Sequence, residues 1–331
     1  MKIAIVRLSA MGDIIQSMVV LQFIKKHIPD STIDWFVEKK FSSILQNNPD
    51  ISNIFEINFE QVKKRKSFYL LFKELNKLRR VGNYDVVIDF QGLIKSAVVA
   101  KLIPSVKTVG FDRESTRERF ASLLYGTKYK CNYDMNVIKR NVFIAAKALG
   151  FKVKHQEIIT KLPYLFYEKS NNLKPFSNSG KILLIVPGAS FKSKIYPPEL
   201  FADVINKLSL ETIIIWGNKE EYEIAKMIKC FSQKASLAPE LNINELKRLI
   251  SQVDIVIGGD TGPTHIAWAL NVPSITLYGC TPGKRNSFCS LKNKVIESNT
   301  DVNPRKINRN DFSISSIKPN RIVKIAKKIL G

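Results

Sequence analysis

Short runs of β-branched and aliphatic residues alternate with longer stretches of helical periodicity along the whole chain, and few architectures accommodate that rhythm. Residues 3–8 form an apolar run broken only by Arg7, the pattern of a strand buried on both faces. A helical pattern covers 14–28 and stops before Pro29; strands are expected at 33–37, 84–90 and 107–110, and a helix at 135–149 ending at Gly150. The polar, turn-rich stretch from Tyr167 to Gly180 reads as a linker. The rhythm then restarts. Strands are expected at 182–186, 212–216, 254–257 and 274–278, and helices at 198–208, 219–229, 244–251, 263–270 and 319–330. Such alternation implies parallel sheets wrapped by helices. The expected fold class is therefore α/β, with two Rossmann-like doubly wound domains facing each other across a cleft. The first domain is expected over 1–170 and the second over 181–318, with a helix at 319–331 packing back on the first.

Composition supports that division. At roughly 150 residues per domain, 331 residues make about two domains, each able to bury a core without disulfides or metal staples. No run of about 18 apolar residues is present to span a membrane, and the apolar part of the N-terminus is too short for a secretory signal. Cys131, Cys230, Cys280 and Cys289 form no C-x-x-C pair, and His27, His155 and His265 are scattered. Neither a zinc cluster nor a disulfide framework is expected, and a cytoplasmic protein is.

Charge is the anomaly. Fifty-two Lys and Arg against 29 Asp and Glu give +23, which attracts nucleic acid, anionic membrane or acidic substrate. A general Lys-rich bias explains part of it. One stretch is more concentrated: Lys63, Lys64, Arg65 and Lys66 precede a segment in which Phe68, Leu71, Phe72, Leu75 and Leu78 recur at helical spacing. Two readings stay open for it, a basic amphipathic helix on an anionic bilayer and a surface helix packed on its own domain.

In open α/β sheets ligands bind at the carboxyl ends of strands, and three loops there stand out. Arg7-Leu8-Ser9-Ala10-Met11-Gly12-Asp13 follows the first strand without a G-x-G-x-x-G fingerprint. Its Asp13 is read from position as a helix cap, or else as a carboxylate facing the cleft. Val186-Pro187-Gly188-Ala189-Ser190-Phe191-Lys192-Ser193-Lys194 combines small residues with lysines, suited to an anion or simply a basic loop. Gly258-Gly259-Asp260-Thr261-Gly262-Pro263-Thr264-His265 closes a strand and opens a helix, whose first N–H groups make a seat for diphosphate.

Together these strings resemble the ADP-heptose:lipopolysaccharide heptosyltransferases of glycosyltransferase family 9, type I rather than type II. The resemblance rests on Ser9-Ala10-Met11-Gly12-Asp13, the string from Tyr84 through Gln91-Gly92-Leu93-Ile94-Lys95-Ser96-Ala97, Thr116-Arg117-Glu118, Lys194 with Tyr196-Pro197, Trp216-Gly217, and Asp260-Thr261-Gly262 with His265. It implies a GT-B fold and inverting transfer of L-glycero-D-manno-heptose from ADP-heptose to the inner Kdo of Kdo2-lipid A. Asp13 would be the catalytic base. Ser190, Lys194, Thr261 and Gly262 would hold the ADP phosphates, Asp260 the heptose, Glu221 the ribose and Leu241 the adenine, with His265 orienting its loop. Lys63, Lys64, Arg65, Lys66 and Arg117 match basic positions facing the acceptor.

The family works without metal, so neither metal nor other cofactor is expected. A monomer peripheral on the cytoplasmic face of the anionic inner membrane is the implied form. The sequence departs from type I at Gln16-Ser17-Met18, at Tyr196 in place of Trp, and at Pro187-Gly188-Ala189. The rival readings are transfer to an already heptosylated core as in type II, a Rossmann oxidoreductase, and a nucleic-acid-binding protein. A missing glycine fingerprint argues against the oxidoreductase; two α/β halves with phosphate-seat loops argue against nucleic acid as a partner.

Overall fold

A computed structural model describes residues 1–168 and 180–331. The expected linker lies outside the described residues over 169–179. The chain divides into two compact units, Met1–Tyr164 and Leu165–Gly331.

The first unit contains β1 (Lys2–Val6), β2 (Thr32–Glu38), β3 (Asn53–Ile57), β4 (Tyr84–Asp89), β5 (Ser105–Phe111) and β6 (Thr127–Tyr129). They form one parallel sheet in the order β3-β2-β1-β4-β5-β6. β1 and β4 are almost wholly buried, which is why they read as apolar runs. The single helix expected over 14–28 is two, Met11–Met18 and Val20–His27, with Val19 ending one and opening the other. Helix Val137–Leu149 closes over them: its buried Asn141 donates from Nδ2 to Ser17 Oγ at 3.0 Å. Its ends are set by Asn136, whose side chain accepts from Ile138 N, and by Gly150 at φ 78°, a left-handed cap that glycine adopts without steric cost.

The second unit repeats the plan. It contains β7 (Ile182–Val186), β8 (Glu211–Ile214), β9 (Ala235–Leu237), β10 (Ile255–Gly259), β11 (Ser274–Tyr278) and β12 (Asn293–Glu297), in the order β12-β11-β10-β7-β8-β9. Read from β9, that is the order of the first sheet, and it too is parallel throughout. Helix Pro319–Leu330 places Ile322, Val323 and Ala326 in this unit's own core, next to helix Pro198–Leu208. The stripe that the sequence reading assigned to bracing the first domain is thus used by the second: the apolar side of this helix is occupied where it stands. Among the described residues no helix is long and apolar enough to cross a membrane.

Candidate active site

In the first unit the turn after β1 is built around a buried arginine. Arg7 donates from Nη1 to Phe90 O at 2.6 Å, and its Nη2 lies 3.0 Å from Asp13 Oδ1. Asp13 is the third residue of helix Met11–Met18, and its Oδ2 accepts from Ala10 N at 3.4 Å. It therefore caps the helix, as its position alone suggested, while 44% of its side chain stays open to solvent. Gln91, from the exit of β4, shapes the same turn: its Oε1 accepts from Leu8 N at 2.8 Å and Ser9 N at 3.3 Å. Gln16, Ser17 and Met18, where the sequence departs from the type I pattern, are buried and turn into the unit. Ser17 donates back to Asp13 O at 2.7 Å.

The basic residues stand at other strand exits of this sheet. Lys63, Lys64 and Arg65 are on helix Phe59–Arg65 after β3, and Lys66 is its left-handed cap at φ 46°. Lys64 pairs with Glu60 at 3.0 Å, whereas Lys63, Arg65 and Lys66 are exposed with no ion pair among the described residues. Arg117 is exposed in the turn after β5. The strand order places these exits on either side of β1.

The second unit gathers its polar side chains around Asp260, just beyond β10. Asp260 Oδ2 accepts from Lys194 Nζ at 2.7 Å, Thr281 Oγ1 at 3.3 Å and Asn286 Nδ2 at 3.3 Å; Oδ1 meets His265 Nε2 and Tyr278 OH, each at 3.2 Å. Burial pushes this carboxyl up, but the Lys194 ammonium and His265 outweigh it and hold Asp260 well below the usual carboxylate range. The backbone makes room for the cluster. A Cβ on Gly258 would lie 2.6 Å from Val186 Cβ, and one on Gly259 3.0 Å from Lys194 O. Thr261 and Gly262 start helix Gly262–Ala269 with Pro263 in its first turn, and Thr264 Oγ1 ties the turn to Gly259 O and Thr261 O. Backbone N–H groups at such a start attract anions.

Glu221 sits in the first turn of helix Lys219–Phe231 and accepts from Gly217 N at 2.7 Å. It also lies against the loop after β7: a Cβ on Gly188 would be 2.2 Å from Glu221 Cδ. Ser190 is exposed on that loop, and Leu241 is half-buried just before the Asn242 cap of helix Ile243–Ser251. Asp260, Lys194 and His265 are thus brought into one hydrogen-bonded cluster, with Thr261 and Gly262 following in the chain. Asp13 meets Arg7 in the other unit. Sequence reasoning did not single out Arg7 or Gln91 as organisers of the first turn, nor Tyr278, Thr281 and Asn286 around Asp260. A signal existed for the last three, since they follow or close β11, the neighbour of β10 at the same sheet edge. Among the described residues, no three His, Cys, Asp or Glu side chains group as a metal site.

The model of glycosyltransferase family 9 (heptosyltransferase) matches residues 72–312. Lipopolysaccharide heptosyltransferase 1 of Campylobacter coli is 38% identical over a 350-residue alignment covering 100% of this chain and 99% of the relative. The protein of the same name from Escherichia coli K12 is 28% identical, covering 86% and 89%. Among solved structures, E. coli heptosyltransferase WaaC with ADP superposes with a TM-score of 0.80 at 24% identity, covering 99% of this chain and 100% of that one. E. coli ADP-heptose lps heptosyltransferase II gives 0.72 at 19% identity, covering 100% and 98%.

Proposed function

This chain belongs to glycosyltransferase family 9, the heptosyltransferases, with a GT-B type fold, and from that premise we propose that it moves L-glycero-D-manno-heptose from ADP-heptose to the inner Kdo of Kdo2-lipid A, inverting the anomeric carbon. The observation that carries the reading is the pairing of a full-length relative named lipopolysaccharide heptosyltransferase 1 with a half-exposed, ion-paired Asp13 at the exit of β1.

An inverting displacement needs a base for the acceptor hydroxyl and charge stabilisation for the departing diphosphate. Asp13 takes the proton, with Arg7 and Ala10 N fixing the direction of its carboxylate. Lys194 keeps one proton on Asp260 and offers the other two of its ammonium to phosphate oxygens. Ser190 and the N–H groups of Thr261 and Gly262 complete the phosphate seat. Asp260 contacts the heptose, Glu221 the ribose and Leu241 the adenine, while His265 braces Asp260. Lys63, Lys64, Arg65, Lys66 and Arg117 meet the carboxylates and phosphates of the acceptor. The reaction proceeds without metal, in a monomer working peripherally at the cytoplasmic face of the anionic inner membrane. The relatives named lipopolysaccharide heptosyltransferase 1 support this acceptor over a heptosylated one.

The test is purified protein with ADP-heptose and Kdo2-lipid A in chelator, read by mass spectrometry. One added heptose is the expected product. Product only on a heptosylated acceptor, or only after adding metal, would overturn the corresponding part of the reading.

A further inference from the structure

Two exposed apolar patches stand at the same sheet edge as Asp13, and the reaction uses neither. The first is on helix Phe68–Leu78, which the sequence reading treated as a single apolar stripe. Leu75 and Leu78 pack on the core with Leu71 half-buried on their side, whereas Phe68, Tyr69 and Phe72 are 88%, 72% and 65% exposed. The second is on the short 3-10 helix Arg119–Leu124 after β5. Residues three apart eclipse in a 3-10 helix. Ala121 and Leu124 pack with Ala97 of helix Ile94–Leu102, so Phe120 and Leu123 share another face, 72% and 69% exposed. β3 and β5 run parallel, and in the order β3-β2-β1-β4-β5 their exits flank the exit of β1, where the Arg7–Asp13 pair stands.

We propose that these patches are two feet on which the protein rests on an anionic lipid bilayer, with Phe68, Tyr69 and Phe72 in one and Phe120 and Leu123 in the other entering the acyl boundary. The inference rests on the proposed lipid-linked acceptor and adds the surface that presents it. Charge selects a bilayer over a second copy of the chain: at the second foot Arg113, Arg117 and Arg119 are balanced by Asp112, Glu114 and Glu118, but at the first, residues 59–80 carry eight Lys and Arg against two Glu. Two copies meeting through so basic a surface repel. Headgroup phosphates attract it, and aromatic rings with a polar tip suit the interfacial layer. A base held between two such feet lies at the depth where the sugar of a glycolipid leaves the bilayer.

The experiment is flotation of the full chain with phosphatidylethanolamine–phosphatidylglycerol vesicles at low and high salt, beside sedimentation without lipid. Wild type is expected to float. Phe68→Ser/Tyr69→Ser/Phe72→Ser and Phe120→Ser/Leu123→Ser are each expected to lose several-fold of the bound fraction, most clearly at high salt, where headgroup attraction is screened. Turnover of a deacylated, water-soluble acceptor should stay at the wild-type level, which also certifies the fold. The single changes Tyr69→Ser and Phe120→Ser provide the same readout with less perturbation. Flotation equal to wild type in both combined variants overturns the proposal, as does a lipid-free wild-type dimer that the variants dissociate. Failure of wild type to turn over the soluble acceptor, with flotation intact, would instead count against the reaction.

Discussion

In the first sheet Val6, the last residue of β1, faces Asp89 in β4; in the second, Val186, the last residue of β7, faces Gly258 in β10. Two positions further on stand Gln91 and Asp260, and both reach back to the turn that leaves the central strand. Gln91 is a neutral amide that accepts two backbone N–H groups, so it fixes the path of the turn. Asp260 is a carboxylate that accepts a lysine side chain, so it fixes a charge. Upstream the contrast is reversed. Asp89 is buried among donors from Ser96, Tyr125, Gln91 and Gly92, with no cation paired to it among the described residues, and burial pushes its carboxyl up; Gly258 has no room for a side chain. One topology thus serves two purposes: the first exit fixes a backbone path through an amide, and the second positions a cation through an acid.

The widest gap between the halves should appear in turnover. Asp13→Ala is expected to lower kcat by roughly 10²–10⁴-fold while ADP affinity, which the proposed reading places in the second unit, stays near wild type by calorimetry. Activity surviving that change would leave Asp13 as a cap alone. Next comes Asp260→Asn, which leaves the Lys194 ammonium buried without its counter-charge and should cost about 3–5 kcal/mol. Urea unfolding followed by Trp216 and Trp268, both in the second unit, measures it, and Lys194→Met in the same chain should restore part of the loss. Gln91→Ala removes a neutral acceptor from two backbone donors and should cost about 1–3 kcal/mol, seen in the first unit and accompanied by loss of turnover. Equal penalties for Asp260→Asn and Gln91→Ala would erase the distinction between holding a charge and holding a path.

Acid titration separates the two aspartates with the smallest signal. Asp260 is held below its ordinary range when folded, so its contribution is present above the unfolded value of about 3.9 and is lost as pH falls below it. Asp89 is raised, so its ionisation costs stability as pH climbs from about 3.9 toward its folded value. Stability measured from pH 3 to 7 should therefore lose its acid-side fall in Asp260→Asn. It should lose a decline toward neutrality in Asp89→Asn, whose amide can still be met by the Ser96 and Tyr125 hydroxyls.

The strands that escaped sequence reading have one thing in common. β3, β6, β9 and β12 are the four outer strands of the two sheets. They are short or interrupted by polar residues, as in Asn53-Ile54-Phe55-Glu56-Ile57 and Thr127-Lys128-Tyr129, because an edge meets solvent and is protected by charge. Central strands such as Ile182–Val186 are buried on both faces and announce themselves. The site divides similarly. Asp13, Lys194, Asp260 and His265 sit in compact strings beside strand ends and were legible as chemistry. Their organisers were not: Gln91 meets the β1 turn across 83 positions of sequence, and Tyr278, Thr281 and Asn286 reach Asp260 only because β11 lies beside β10. The outward turn of Phe68 and Phe72 was equally hidden, since periodicity groups them with Leu75 and Leu78 until the core shows which side it needs.

The contact between Gly188 and Glu221 carries a consequence for how sequences of this kind can drift. The hydrogen that glycine bears in place of a side chain leaves the space that the glutamate carboxyl fills, so neither position is at liberty to change alone. Gly188→Ala drives the carboxyl away from Gly217 N, and Glu221→Asp withdraws it and leaves a gap beside the glycine. Made together, the two changes relieve each other, and their joint effect on donor affinity should fall short of the sum. The loop after β7 and the carboxylate of Glu221 are then a single heritable unit, and variants of this protein should exchange them as a pair.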